Sequence, residues 1–294
     1  MVTDRKIIVS NGNTSMDLTM APYYVERTEG FDTLDIQIVT SQGFDQDGAT
    51  ELNKYVLPRD MAIYGAIKAE TTIQMQAMHD KILNLFLPKQ QVTITHYYGG
   101  CNRMIKASIK KTPKFDFTDV STVHTYSIQL EATGDPYWSD EKETLIQIAN
   151  MVRGFHFPIA IHKDRGMTFG IKSPSLIVDA YNKSAFKVGM RFTFIANGTV
   201  TNPQLFNVNT REFLKLKCVM AAGESITVQT GTDKTVTRNI KGIKEDYIGK
   251  IDIPSGGNKF LELDPGDNLF RYAADGGEDM LEVKIFFSNK YSGV

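Results

Sequence analysis

Tryptophan occurs once in the 294 residues, cysteine twice and histidine five times, and neither sign of charge dominates, the formal net charge being -1. Cys101 and Cys218 lie in different halves at no metal-like spacing, which argues against a disulfide framework or thiolate zinc site and for free thiols in a reducing compartment. The apolar runs fall far short of the roughly 20 residues that a membrane span needs. The opening stretch, MVTDRKIIVSNGN, lacks the apolar core and small-residue cleavage site of a secretory signal, so the chain is expected to stay soluble where it is made. There are 13 Lys/Arg against 16 Asp/Glu up to Trp138, and 20 against 18 beyond it. Neither half has the basic excess of a nucleic-acid footprint.

Catalytic signatures are missing as well. His79 falls on a helical pattern with no second His or Glu at zinc spacing, His96 and His124 are in phase with strands, and His156 and His162 are split by Pro158. These five fit packing or surface roles. Asp45-Gln46-Asp47-Gly48 faintly resembles a calcium loop, but Ala49 and Val56 occupy ligand positions and Glu51 comes too early. Ser255-Gly256-Gly257-Asn258-Lys259 lacks phosphate-loop spacing and lies between strands, and no G-x-S-x-G elbow exists. The acidic Asp275-Gly276-Gly277-Glu278-Asp279 cluster reads as a hairpin tip. No catalytic, cofactor-binding or metal-binding residue is assigned, and the chain is read as a non-enzyme.

What is present is alternation. The length predicts two domains, 1–138 and 139–294, with 139–174 as linker or early strands. Period-2 patterns run through Lys6–Val9, Met16–Met20, Leu34/Ile36/Ile38 and Arg59–Ala69, the last placing Met61, Ile63 and Ile67 on one face. One helix follows: Thr71 and Gln74 form a capping box, Met75, Met78, Ile82, Leu85 and Phe86 make a stripe, and Pro88 ends it. Val92 to Ile109 reads as a hairpin turning at Gly99-Gly100. Ser121–Ala132 is a strand that Gly134-Asp135-Pro136 stops, and the large aromatics Tyr137 and Trp138 follow at once. Asp135, Pro136, Tyr137 and Trp138 are therefore read as the domain hinge.

The second half is β throughout. Residues 139–157 favour strand and linker, though Leu145, Ile148 and Val152 also suit a helix face. Strict alternation marks Phe186–Phe194, Leu214–Met220 and Leu281–Phe287, with Gly- and Asp-rich turns between, which implies a sandwich or jelly roll.

The order of short motifs resembles the distal tail proteins of long-tailed bacteriophages. In the first half these are Leu57-Pro58-Arg59, Leu85-Phe86-Leu87-Pro88, Thr112-Pro113-Lys114-Phe115 and Asp135-Pro136-Tyr137-Trp138. In the second they are Asn202-Pro203, Phe206-Asn207, Thr210-Arg211-Glu212, Ala222-Gly223-Glu224-Ser225-Ile226, Leu263-Asp264-Pro265-Gly266-Asp267-Asn268 and the closing Tyr291-Ser292-Gly293-Val294. The clearest departure is Asn150 to Ser173. The resemblance implies a mainly β chain: an N-terminal α+β ring-forming domain and a C-terminal galectin-like β-sandwich. It further implies a hexameric ring at the virion tail tip, assembled in the bacterial host cytoplasm. Its expected partners are the tail tube protein, a tail-associated lysin or hub protein and receptor-binding proteins; DNA passes through without specific binding, with no cofactor and no membrane insertion.

A ring subunit needs surfaces that close on rotation. The 91–111 hairpin and the 59–69 strand are expected to supply them, through Met61, Ile63, Tyr97, Tyr98, Lys106 and Lys110. Lys106, Lys110, Lys111 and Lys114 form a basic run of the kind that protects a strand edge. The alternative is a carbohydrate-binding module that contacts the host cell wall through the C-terminal sandwich. It is disfavoured because such sites generally want a stacking Trp and the single one lies at the hinge. A cell-wall glycosidase has no residue in its favour.

Overall fold

The computed structural model describes residues 5–116, 122–148, 150–153, 170–173 and 177–294. It is mainly β, with one α-helix among the described residues. The chain forms two compact units: Met1–Glu141 with Lys290–Val294 make unit 1, and Lys142–Asn289 make unit 2. Sequence alone assigns 290–294 to the second domain. The structure places them in unit 1, because Tyr291 and Val294 pack on its core and Trp138 and Ser139 pair with Tyr291 and Lys290.

Unit 1 begins with β1 (Lys6–Ser10), β2 (Ser15–Asp17), β3 (Tyr23–Glu29), β4 (Ile36–Ser41), β5 (Thr50–Val56) and β6 (Arg59–Lys68). Helix α1 (Thr72–Leu85) follows, then β7 (Gln91–Tyr98), β8 (Cys101–Asp116), β9 (Val123–Ala132) and β10 (Trp138–Asp140). Seven strands make an antiparallel sheet in the order β2-β1-β7-β8-β9-β6-β3, and β10 pairs with β8. Met61, Ile63 and Ile67 point to the same side as Tyr126, Ile128 and Leu130 of β9, and these six are buried with Ile7, Val9, Ile94 and Ile105. Each such side chain contributes about 1.5–3 kcal/mol on leaving water. The stripe on β6 is interrupted at Gly65, directly across from Tyr126. A Cβ there would lie 2.2 Å from the Tyr24 carbonyl oxygen and 2.5 Å from the Tyr126 ring, so only glycine admits the tyrosine.

Helix α1 covers this face with Met75, His79, Ile82 and Leu85 buried. Its start follows the expected box with one shift. Thr71 Oγ1 accepts from the Gln74 amide at 3.2 Å, but the Gln74 side chain reaches back to the Glu70 amide, one residue before the cap. The β7–β8 hairpin turns through Gly99 and Gly100 with φ of 56° and 78°, a pair of positive angles that suits two glycines.

Unit 2 begins with β11 (Thr144–Ile148), β12 (Asn150–Arg153), β13 (Gly170–Ser173) and β14 (Ile177–Asp179). Then come β15 (Val188–Gly189), β16 (Arg191–Ala196), β17 (Val200–Asn207), β18 (Phe213–Lys215) and β19 (Val219–Met220). The last are β20 (Ser225–Gln229), β21 (Thr235–Ile240), β22 (Ile243–Asp246), β23 (Glu262–Leu263), β24 (Leu269–Gly276) and β25 (Leu281–Phe287). A six-stranded sheet, β11-β25-β16-β20-β21-β22, shares one core with a five-stranded sheet, β14-β24-β17-β18 with β19 on β17. Phe192, Phe194, Val228 and Ile285 of the first meet Leu205, Leu214, Phe270 and Tyr272 of the second, which makes a sandwich. The ambiguous 144–148 stretch is a strand: Ile148 is buried, while Leu145, which a helix face would have buried, is exposed. Residues 154–169, with His156 and His162, lie outside those described.

Candidate assembly surfaces

The corner that ends β9 is tied to unit 1. Arg59, buried at the start of β6, donates from Nε to the Pro136 carbonyl at 2.7 Å, from one terminal nitrogen to the carbonyls of Gly30 (2.8 Å) and Phe31 (2.9 Å), and from the other to that of Ser292. Burial lowers its pKa, with Asp32 opposing. Trp138 is fully buried and Asp135 pairs with Lys290 at 2.7 Å. Arg103 stacks over the Tyr291 ring at 4.0 Å and donates to the Gly293 carbonyl. The residues read as a hinge thus close unit 1 on itself, and the first crossing between units follows Glu141.

Opposite the core, the sheet shows a polar face. Register puts Thr93 beside Lys106, Ser108 beside Glu131, Asp60 beside Glu131, and Lys111 beside Gln129. Lys110 meets Asp60 at 2.7 Å over a depression of about 240 Å³ that Glu29, Tyr64 and Gln129 also line. Arg27 lies 4.4 Å over the Tyr64 ring.

The six residues expected at a ring contact separate on the structure. Met61 and Ile63 are in the core, and β6 is paired on both sides, by β9 and β3, so neither side chain nor strand edge is free. That expectation is corrected: period-2 alternation marks a buried face without saying what buries it. Tyr97 donates its hydroxyl to Glu141 at 3.0 Å, and burial together with Glu141 raises its pKa. Tyr98 is exposed at the hairpin end, and Lys106 and Lys110 are exposed on the polar face.

One exposed apolar feature of unit 1 was not found by sequence reading. Among the described residues β4 and β5 pair only with each other, forming a two-stranded arm between β3 and β6. Ile36, Ile38 and Leu52 are 59%, 52% and 64% exposed, and Phe44 is fully exposed. Leu34/Ile36/Ile38 alternation predicts a strand; the strand exists, but among the described residues nothing covers its apolar side chains. The remaining signal was Asp47-Gly48, a turn between two runs, with Gly48 at φ 79°.

Among the described residues, His79, His96, His124 and Cys218 are engaged by their neighbours in unit 1 or unit 2, and Cys101 is exposed. His96 Nε2 accepts from Arg5 Nε at 3.1 Å, and burial, then Arg5, lowers its pKa to about 4. His79 stacks on Phe115 with centroids 4.0 Å apart and its Nε2 lies 3.3 Å from His124 Nδ1; burial, then His124, lowers its pKa. Burial pushes the Cys218 thiol up to about 11, which disfavours the thiolate that a nucleophile or metal ligand needs. Asp275 is held by Lys215 at 2.7 Å and Asn202 at 2.8 Å. Among the described residues no three His, Cys, Asp or Glu side chains are grouped to hold a metal, and no helix is long and apolar enough to cross a membrane.

An open sheet with one covering helix, followed by a two-sheet sandwich, is a fold shared with solved phage hub and baseplate chains. The chain is similar over 97% of its length to the Dit protein of phage SPP1, described as a paradigm of the hub adsorption apparatus in Gram-positive-infecting phages, with a TM-score of 0.67, 11% identity and 99% of that chain covered. It is also similar to a chain of the phage P2 baseplate in its activated conformation, with Ca (TM-score 0.60, 10% identity) and with Sr (0.56, 11%), each match covering 99% of both chains. No protein-family model matches the sequence, and no curated protein sequence does.

Proposed function

We propose that the chain is a structural distal tail protein: a hexameric ring at the virion tail tip that joins the tail tube to the hub and anchors host-adhesion components. The observation that carries this reading is the likeness to SPP1 Dit over both chains nearly end to end. The open sheet and the uncovered arm support it, since a subunit of a closed ring presents different surfaces to its two neighbours. The polar sheet face, with its mixed charges and Ser, Thr and Gln, suits a channel wall along which DNA moves without being read. Unit 2 is the surface left for receptor-binding proteins, and the tube and a tail-associated lysin or hub protein take the two ends of the ring. The protein performs no reaction in this role, and assembly takes place in the host cytoplasm.

Light scattering on the purified chain, then negative-stain imaging of its particles alone and bound to tail tubes, tests this. A six-copy ring is expected. A chain that forms no ring either alone or on tubes overturns it. The carbohydrate-binding alternative gains nothing, because the single indole is buried in unit 1 and unit 2 has no tryptophan.

A further inference from the structure

A two-stranded ribbon alone is marginal in water, and one that exposes three large aliphatic side chains is less stable still. Ile36 lies opposite Val56 and Ile38 opposite Lys54, so these share one face of the arm, and Leu52 is exposed next to it, unpaired where the register shifts between Val39 and Thr40. We infer that this face is covered by a second copy of the chain, at the C-terminal end of that copy's α1.

The occupant follows from charge, chemistry and position. The arm tip carries Asp45 and Asp47, both exposed. At the end of α1, Leu83 and Leu87 are exposed between Lys81 and Lys89, and no acidic side chain pairs with either lysine among the described residues. The two surfaces therefore match as apolar to apolar and acidic to basic. They also lie at opposite ends of one sheet. The arm leaves beside β3, the last strand in the order, whereas the end of α1 is held to the β1–β2 turn, where Asn11 Nδ2 donates to the Asn84 and Leu85 carbonyls at 3.4 Å. Copies placed end to end bring one arm to the next helix. Strand addition at β3 is disfavoured, because its free edge is interrupted between Val25 and Arg27 and carries Glu26, Arg27 and Glu29.

The inference rests on the ring reading, and its test separates the two. Self-association of the full chain is measured by sedimentation for the wild type, Ile38→Asp/Leu52→Asp, Asp45→Lys/Asp47→Lys, and the latter combined with Lys81→Glu/Lys89→Glu. All these positions are exposed, so far-UV circular dichroism, and melting measured at concentrations where each chain is monomeric, should not change. The first two variants are expected to weaken association at least about tenfold, as hot-spot losses do, and the combined variant to recover it. Variants that associate as tightly as the wild type, or a combined variant without recovery, overturn the inference even if six-copy rings form. Weakening and recovery without a six-copy ring support the contact and count against the ring. A wild type that stays monomeric at every concentration overturns the contact.

Discussion

Trp138 donates its indole N–H to the Phe31 carbonyl at 3.0 Å, and the two rings tilt together with centroids 5.3 Å apart. The single indole therefore belongs to the core of unit 1, and its fluorescence reports that unit alone. Emission is expected to be blue-shifted and to change only when unit 1 unfolds. Trp138→Phe keeps an aromatic ring but loses one hydrogen bond; because Arg59 also serves that carbonyl, the expected cost is about 1–2 kcal/mol by denaturant unfolding.

Arg59→Ala is expected to cost more. It leaves the carbonyls of Pro136, Gly30 and Ser292 without this donor, and stranding a buried acceptor costs about 1–3 kcal/mol each. Arg59→Lys should recover little, since one ammonium cannot reproduce a three-nitrogen fork. Urea unfolding of both variants, followed by Trp138 fluorescence, measures the difference.

Removing 290–294 deletes the Ser292 and Gly293 carbonyls and the Lys290 partner of Asp135. Unit 1 should lose stability although the deletion lies more than a hundred residues away in sequence from the rest of it. Limited proteolysis is expected to cut unit 1 of the truncated chain before unit 2. Equal resistance to the full chain would contradict this.

Gly65→Ala should be among the most damaging single-methyl changes. The added carbon meets the Tyr24 backbone oxygen, which cannot move without breaking the β3–β6 ladder, and the expected loss is about 3 kcal/mol at the upper end of overpacking. Thermal melting measures it. Pairing with Tyr126→Ala should not restore stability, because the backbone clash remains.

Stability should fall in mild acid. His96 takes a proton only near pH 4 when folded, against about 6.5 unfolded, so between those values the unfolded chain binds more protons. The contribution is complete above pH 6.5 and is lost progressively down to about 4. His79, lowered by burial and by His124, acts in the same direction. His96→Gln should flatten the dependence of the urea midpoint on pH over this window.

Much of this architecture was legible in residue order. Local rules suffice for the Gly99-Gly100 turn, the Thr71 cap and the α1 stripe, because each rests on interactions within a few residues. Alternation likewise marked the inward faces of β6, β9, β16 and β25, since period 2 is set by the pleat of the backbone itself.

Alternation does not say what lies over an apolar face, and there the sequence alone misled. Met61 and Ile63 read as a subunit contact are core because β9, β3 and α1 surround them; Ile36 and Ile38, read as an alternating strand, stand uncovered among the described residues because β4 pairs with β5. The return of 290–294 and the closing of four carbonyls around Arg59 also had no local sign, as their partners are separated by up to 233 residues. Sequence by itself determined the two β-rich halves, the lone helix and the hairpin. Only the tertiary structure decided which faces are inside and which remain for a neighbour, because burial depends on strand neighbours brought together from distant parts of the chain.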